Sequence, residues 1–161
     1  MPADVNFTAA AALALDGTQR DALLPQLDAF LGAVADPAAR APYAALRAAV
    51  ADREVPAELA ERLGAILELT LTSGRARAAH GPGAELALWS LFQKTPRGRE
   101  IAASIGALNA ALAPFAGRTL EAVAAVARGP GAYALTIRAG GVQATIRFEP
   151  AGVRIENLEI G

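Results

Sequence analysis

The spacing of apolar residues changes along the chain, and it predicts helices before strands. From Thr18 to about Val34, apolar side chains recur at three- and four-residue intervals, as they do on the buried face of a helix. The same periodicity predicts further helices at about 42–51, 56–73, 84–94 and 96–114. After residue 117 the period falls to two, which is typical of strands that bury one face.

Four strands fit this last part of the chain, at 119–128, 132–138, 142–149 and 153–160. The first of them contains LEAVAAVA, which has no decisive period, so a helix at 119–128 is the alternative. A two-residue turn at Gly140-Gly141 places the apolar residues of the second and third strands on one face. It predicts three cross-strand pairs: Ile137 with Ala144, Leu135 with Ile146, and Tyr133 with Phe148.

The last two strands are predicted to form a second hairpin. A two-residue turn at Ala151-Gly152 sets three pairs: Phe148 with Ile155, Glu149 with Arg154, and Arg147 with Glu156. The first pair is apolar and the other two join opposite charges, as expected where one face of a sheet meets solvent. The final apolar residues fall out of phase with the earlier ones, which predicts a β-bulge near Asn157.

Together these patterns predict an α+β fold. An N-terminal helical layer of about five helices packs on a C-terminal four-stranded antiparallel β-meander. Residues 1–117 form the mainly helical region and residues 118–161 form the meander. A meander with one apolar face needs helices to cover that face, so we expect one compact domain with a shared core.

The composition fits a globular domain and excludes several kinds of site. Of the 161 residues, 53% are hydrophobic, which is ample for a core. The chain has no cysteine, and this excludes disulfides, thiolate metal sites and cysteine nucleophiles. Arg outnumbers Lys by 14 to 1. With the abundant Ala, this bias indicates a GC-rich bacterial genome.

No segment fits a targeting signal or a membrane span. The apolar run from Phe7 to Leu15 could be a short helix or a strand. A secretory signal requires basic residues before its apolar core, and no Lys or Arg precedes this run. No stretch reaches the roughly 18 apolar residues needed to span a membrane. We therefore expect a cytoplasmic protein that has no membrane partner.

Charge is unevenly distributed, although the net charge is only −1. Residues 1–74 carry a net charge of −5 and residues 75–99 carry +4, while the remainder is neutral. The basic stretch has three parts: a loop at 74–83, an apolar helix at 84–94 and a helix start at 95–99. We expect the apolar helix to be buried on every side, with Trp89 in the core.

The helix start at Thr95-Pro96 is the best candidate for an anion site. Thr is a preferred N-cap and Pro is favoured at the first helical position, so unpaired N–H groups are expected there. Arg97 and Arg99 add charge where the helix dipole is already positive, which indicates a nearby anion. Gly98 allows a close approach to the backbone. The same stretch holds four further candidate ligand-binding residues: Arg75, Arg77, His80 and Trp89.

The sequence leaves three interpretations of these arginines: a carboxylate from the acidic first half of the chain is the anion, a bound ligand is the anion, or the arginines lie on a solvated surface. The sequence shows no catalytic constellation, and Ser73, Ser90 and Ser104 lack a G-x-S-x-G context. One His with scattered carboxylates gives no metal-ligand spacing, so neither a metal nor a cofactor is expected. The net charge argues against a nucleic-acid partner.

These observations favour a small non-enzymatic domain that binds a protein or assembles with itself. An open meander leaves two edge strands, here 119–128 and 153–160. An edge strand can pair with a partner chain or with a second copy in a homodimer. The alternative is a binder, or an enzyme, for a small anionic ligand such as a phosphorylated or carboxylated metabolite at Arg97 and Arg99.

Overall fold

A computed structural model describes residues 12–161 of the chain. The part of the first apolar run before residue 12 lies outside the described residues. Within them, five α-helices precede a four-stranded antiparallel sheet, which confirms the predicted α+β class. The elements are β1 (Leu13–Ala14), α1 (Gly17–Ala33), α2 (Pro37–Ala51), β2 (Glu54–Val55), α3 (Ala60–Thr72), α4 (Arg75–Phe92), α5 (Pro96–Leu112), β3 (Leu120–Gly129), β4 (Ala132–Ala139), β5 (Val142–Glu149) and β6 (Gly152–Ile160).

The chain forms two compact units, Met1–Arg99 and Glu100–Gly161. In the first unit α1 packs against α2 and α4, α3 packs against α4, and β1 pairs with β2. Each of the first four helices contributes two fully buried side chains to the core: Leu23, Leu27, Leu46, Val50, Leu63, Leu67, Leu88 and Leu91. Burial of each such side chain stabilises the fold by about 1.5–3 kcal/mol. A core shared between the helical region and the meander stays a prediction.

The first helix begins at a reciprocal cap and contains a proline. The Asp16 carboxylate accepts a hydrogen bond from the Gln19 N–H at 2.8 Å, and the Gln19 side chain accepts one from the Asp16 N–H at 3.0 Å. The sequence predicts that Pro25 kinks or begins the helix, but α1 extends from Gly17 to Ala33 with Pro25 inside. Pro25 is exposed, so solvent can hydrate the carbonyl that it leaves without a helical partner.

The second helix begins earlier than the periodicity predicts, at Pro37 rather than near residue 42. The Asp36 carboxylate accepts hydrogen bonds from the N–H groups of Ala38 and Ala39. Asp36-Pro37 is therefore an N-cap followed by proline at the first helical position. The prediction missed this start because the Ala-rich first turn shows no apolar stripe.

The basic segment before the apolar helix is helical from Arg75, so the loop predicted at 74–83 is wrong there, while a break at His80–Gly83, which the Gly-Pro-Gly sequence also predicts, is present at Gly81. Gly74 is left-handed (φ 67°), as predicted for a helix end, and α4 begins immediately after it. Its backbone departs from helical geometry at Gly81 (φ 79°, ψ 178°) and then continues to Phe92. Ala and Arg are strong helix formers, and they extend the helix up to the Gly-Pro break.

The apolar part of α4 is buried on one side only, so the prediction of burial on every side is wrong. Leu88 and Leu91 are fully buried, but Leu86 is 69% exposed and Trp89 is 44% exposed. Trp89 stacks on Phe92, with ring centroids 5.6 Å apart, instead of filling the core. The helices that pack against α4 in its unit, α1 and α3, cover only part of its circumference. No helix within residues 12–161 is long and apolar enough to cross a membrane.

The second unit contains the sheet, with strand order β3-β4-β5-β6. Leu120–Gly129 is a strand, so the helical alternative for this segment is wrong. The β4–β5 register is the predicted one, with Ile137 opposite Ala144 and the other two pairs also in place. Gly140 and Gly141 both have positive φ, 53° and 79°, as a two-residue type I′ turn requires.

The β5–β6 register differs from the predicted one by two residues. Phe148 lies opposite Val153 and Glu149 lies opposite Gly152, so the turn is Pro150-Ala151 rather than Ala151-Gly152. Pro supplies the φ that the first central position of a common turn needs. Gly152 then takes a φ of 145°, which side chains disfavour.

The charge pairs predicted for this hairpin form despite the different register. Arg147 lies opposite Arg154, yet Arg147 reaches Glu156 at 3.4 Å and Arg154 reaches Glu149 at 3.6 Å. Both pairs are diagonal, which long side chains can span. The predicted bulge is confirmed, because the register shifts between residues 155 and 157.

Candidate functional site

Thr95 caps the start of α5, as the sequence predicts. Thr95 is fully buried. Its hydroxyl accepts a hydrogen bond from the Gly98 N–H at 3.1 Å and donates one to the Phe92 carbonyl at 2.7 Å. The Arg99 N–H donates to the Thr95 carbonyl at 3.0 Å. Two N–H groups at this helix start are therefore satisfied within the chain instead of being directed at a ligand.

Gly98 is required by a close approach inside the chain. A Cβ atom at this position would lie 2.0 Å from the Phe92 carbonyl oxygen and 2.7 Å from the Gln93 Cα. Both distances are far below van der Waals contact, so a side chain does not fit. The sequence indicates that Gly98 admits something close to the backbone, and the end of α4 occupies that position.

Two of the candidate arginines lie beside carboxylates of the same unit. Arg97 Nε lies 3.8 Å from Glu68 Oε2 of α3. Arg77 Nη1 lies 3.8 Å from Glu85 Oε2 within α4. Arg99 is exposed. Glu68 belongs to the acidic first half of the chain, so it is the kind of internal anion that the sequence offers as the alternative to a ligand.

The remaining candidates lie at separate places in the helical unit. Arg75 borders a cavity of about 230 Å³ that is lined mainly by α1 and α3. His80 borders another cavity, of about 360 Å³, together with Thr18 and Asp21 of α1. Trp89 lines neither of them. Neither cavity joins the six candidate residues, and anion binding by them stays a prediction.

The titratable groups of the described residues, 12–161, give no sign of a reactive centre. No group of three or more His, Asp or Glu side chains within residues 12–161 is placed to hold a metal ion. A hydrogen bond between Arg47 and the Asp28 carboxylate lowers the pKa of Asp28 and raises the pKa of Arg47. This pair lies at the protein surface between α1 and α2, so its shifts reflect an ordinary ion pair.

A different candidate lies at one edge of the sheet. β3 pairs with β4 on one side, and no strand within residues 12–161 lies on its other side. Every residue of β3 is exposed, and Val123 and Val126 are 53% and 51% exposed. Alternate N–H and C=O groups of an edge strand point away from its sheet, where a further strand can pair with them.

The central part of β3, residues 122–127, lacks the features that hinder edge pairing. Between Glu121 and Arg128 the strand contains only Ala and Val, with no Pro, Gly or charge. Its register with β4 is regular throughout that segment, and irregularities occur only at the two ends. Val123 and Val126 therefore point to opposite faces of the sheet. We refer to this strand, Leu120–Gly129, as the β3 edge.

The opposite edge, β6, carries those protective features. It contains Arg154, Glu156 and Glu159, and it has a bulge at Glu156. Two of these side chains form ion pairs with β5, at 3.4 Å to Arg147 and 3.6 Å to Glu149. Charges and bulges on an edge strand both oppose the addition of another strand. The β3 edge is therefore the better candidate of the two.

The sequence analysis predicts both edge strands as binding surfaces and does not prefer β3, although the sequence of β3 contains a feature that favours it. The segment LEAVAAVA has no polar alternation, so neither of its faces is marked for solvent. Comparisons with protein-family models, curated proteins and solved structures found no match.

Proposed function

We propose that this chain is a non-enzymatic domain that binds protein through the β3 edge, either a partner chain or a second copy. The observation that carries the proposal is the exposure of an entire apolar strand that has a paired neighbour on one side only. Exposed apolar edge strands are templates for pairing, and soluble proteins normally shield them. A partner strand would cover the side chains and satisfy the outward N–H and C=O groups.

When a partner adds a strand to a sheet edge, backbone groups and side chains have different roles in binding. Backbone hydrogen bonds along the added strand supply affinity, and alternate side chains supply specificity. Val123 and Val126 would meet the partner on opposite faces. On the Val123 face, the exposed Tyr133 of β4 lies opposite Ala127 and beside the exposed Phe148 of β5. These aromatic rings extend the apolar surface next to the β3 edge.

The test adds charge to the β3 edge without touching the core. Val123→Lys combined with Val126→Lys places one ammonium group on each face of β3. Both side chains are already exposed, so stability should change by less than about 0.5 kcal/mol. The matched control, Leu158→Lys with Ile160→Lys, adds the same charges to β6 at positions that are 36% and 62% exposed.

Sedimentation equilibrium over a concentration series measures self-association, and a fluorescent peptide of alternating Thr and Val measures strand capture. The β3 variant should weaken either process at least tenfold, or by about 1.4 kcal/mol, because Lys on an edge strand opposes pairing. The β6 control should behave like the parent. A parent that neither associates nor captures the peptide, or an equal loss in both variants, would contradict the proposal.

A small anionic ligand is the second proposal. It is favoured by the cavity beside Arg75, which is also lined by the polar Gln26 and Thr70. A thermal-shift screen with phosphorylated and carboxylated metabolites tests it, since a ligand at 100 times its Kd adds about 2.7 kcal/mol of stability. Binding should weaken in Arg75→Ala if the ligand occupies this cavity, which Arg75 lines, and in Arg97→Ala if it binds at the start of α5. If both variants retain the parent's affinity for every ligand found, these residues form no anion site.

A further inference from the structure

The cavity of about 230 Å³ beside Arg75 is a groove between two helix faces. α1 and α3 each line it with four residues at the same spacing, in which the first is followed at three, four and seven positions, as on one face of a helix. The lining residues are Gln26, Ala29, Phe30 and Ala33 on α1, and Ile66, Leu69, Thr70 and Ser73 on α3. Arg75, at the start of α4, completes the lining.

The apolar side chains of this groove include two that are held in place and one that is uncovered. Ile66 is only 3% exposed. The Phe30 ring packs against the Tyr43 ring of α2, with centroids 4.6 Å apart. Leu69, by contrast, is 53% exposed. A ligand with an apolar body would cover Leu69 and pack against Phe30 and Ile66, and the burial of apolar surface favours binding.

The polarity of the groove changes along α3. Ile66 and Ser73 are seven residues apart, which corresponds to about 10 Å along a helix axis. Thr70 lies between them, and Arg75 follows Ser73 by two residues. The groove is therefore apolar where Ile66 lines it and polar toward the junction of α3 and α4, where the cation lies.

Three polar side chains of the lining have no partner within the described residues. Arg75 forms no ion pair with a carboxylate of residues 12–161. The Thr70 hydroxyl and the Gln26 amide form no hydrogen bond to another group of that range, although Thr70 is only 4% exposed. A few polar groups that converge on an apolar cavity are typical of a site for a small molecule.

From these features we infer that the groove binds a small monocarboxylate with an apolar body, about the size of one ring with a short side chain. The inference rests on the second proposal, the anionic ligand, and specifies its chemical class. An apolar cavity of about 150 Å³ accommodates benzene, so this larger groove has room for a ring and a few further atoms. The carboxylate would meet Arg75, and the groups of Gln26 and Thr70 would donate hydrogen bonds to it.

A single cation matches a carboxylate better than it matches a phosphate. Arg75 is the only charged residue among those that line the groove, and a guanidinium can bind a carboxylate with two parallel hydrogen bonds. A phosphate monoester carries nearly two negative charges at neutral pH, and one of them would be unmatched. Because Arg75 is exposed and the ligand is small, we expect a dissociation constant on the order of 0.1–1 mM.

The first test varies the ligand. 3-Phenylpropionate has a ring and a carboxylate, 3-phenylpropionamide keeps the ring without the charge, and acetate keeps the charge without the ring. Phenyl phosphate replaces the carboxylate by a phosphate. An NMR titration that follows the methyl signals of Ile66 and Leu69 measures each dissociation constant. 3-Phenylpropionate should bind at least about fivefold more tightly than each of the other three.

The second test varies the groove at two exposed positions, where substitutions should leave the fold intact. Arg75→Gln removes the cation, so it should weaken 3-phenylpropionate about fivefold and leave the amide unaffected. Ala29→Leu places a larger side chain in the groove, so it should weaken both ligands about tenfold. Arg62→Gln and Ala45→Leu make the same changes at exposed helical positions outside the groove. Both controls should bind like the parent.

The outcomes separate this inference from the second proposal. Tightest binding of 3-phenylpropionate, weakened by both groove variants, supports both. If acetate or phenyl phosphate binds as tightly and Arg75→Gln weakens it, a small-anion site is retained and the apolar carboxylate is overturned. The inference is also overturned if the amide binds as tightly as the carboxylate, or if either groove variant binds 3-phenylpropionate like the parent. Absence of binding by all four probes up to about 10 mM overturns it too, and the metabolite screen then decides the second proposal alone.

Discussion

The start of α5 and the β3 edge are two candidate functional regions, and they differ in how far contacts within the protein already occupy their polar groups. At the helix start, Thr95 is buried and hydrogen-bonded, Gly98 lies against the Phe92 carbonyl, and Arg97 lies beside Glu68. On β3 every residue is exposed, and one side of the strand has no partner within the described residues.

The difference between these two regions shows that an unusual local sequence does not by itself mark a surface that is accessible to a binding partner. The helix start concentrates Arg, Gly and Pro, yet contacts within its own unit account for Thr95, Gly98 and Arg97. The β3 edge consists of ordinary Ala and Val, yet nothing within residues 12–161 covers its open side. If this comparison is correct, substitutions at the helix start should affect folding, and substitutions on β3 should affect association.

The largest effect on folding is expected at Gly98. Gly98→Ala forces a methyl group against the end of α4 and should lower the free energy of unfolding by about 3 kcal/mol. Gly106→Ala is the control, because nothing lies within 4 Å of an added Cβ there. That change should raise stability by about 0.5–1 kcal/mol. Urea unfolding followed by circular dichroism measures the free energy of unfolding of both variants. Equal changes in the two would show that a side chain fits at Gly98 and that α4 does not block this position.

The Thr95 cap should produce the next largest effect. Thr95→Ala removes the acceptor for the Gly98 N–H in a fully buried position, and it should cost about 1–2 kcal/mol. Thr95→Ser keeps the hydroxyl and should cost less than half as much. Thermal unfolding of the two variants gives the comparison. Identical losses would mean that packing of the methyl group, rather than the cap, stabilises this helix start.

A smaller effect is expected from the pair formed by Arg97 and Glu68. Their atoms are 3.8 Å apart and both side chains are partly exposed, so the coupling should be about 0.5 kcal/mol. A double-mutant cycle with Arg97→Ala and Glu68→Gln measures it, and added salt should reduce it. A coupling of zero would show that the Glu68 carboxylate does not stabilise Arg97, and this ion pair would then not account for the arginine.

The smallest effect on folding is expected on β3. Val126→Thr retains a β-branched side chain of similar size at an exposed position, so unfolding at low protein concentration should change by less than about 0.5 kcal/mol. Urea unfolding at high dilution, which removes any contribution from association, is the measurement. A loss above about 1.5 kcal/mol would show that Val126 is part of the folded core, and the contrast with the helix start would fail.

The strand registers show how far local sequence determines structure. Gly140-Gly141 specified the first hairpin, because two consecutive glycines accommodate the two positive φ values of a type I′ turn. The second hairpin was misassigned at Ala151-Gly152, since Pro150 is also a good turn residue. The charged residues of this hairpin do not distinguish a turn at Ala151-Gly152 from one at Pro150-Ala151, because long side chains reach both directly opposite and diagonal partners.

The candidate site was less predictable, because it depends on contacts between distant parts of the chain. The sequence shows that Arg97 needs an anion but not that Glu68, from another helix, lies beside it. The exposure of Trp89 was missed for a similar reason, since an apolar helix gives no sign of which side its neighbours leave uncovered. The two edge strands followed from the meander itself, and the charges and the bulge of β6 distinguish it from β3.

Amide hydrogen exchange at two protein concentrations, below and above the association midpoint, tests the role of the β3 edge most directly. Outward N–H groups of a free edge strand exchange readily, and pairing protects them. The account predicts that alternate amides of Leu120–Gly129 gain protection at the higher concentration, while those of Gly152–Ile160 do not change. Protection gained on β6 instead, or on neither edge while the mass doubles, would contradict it.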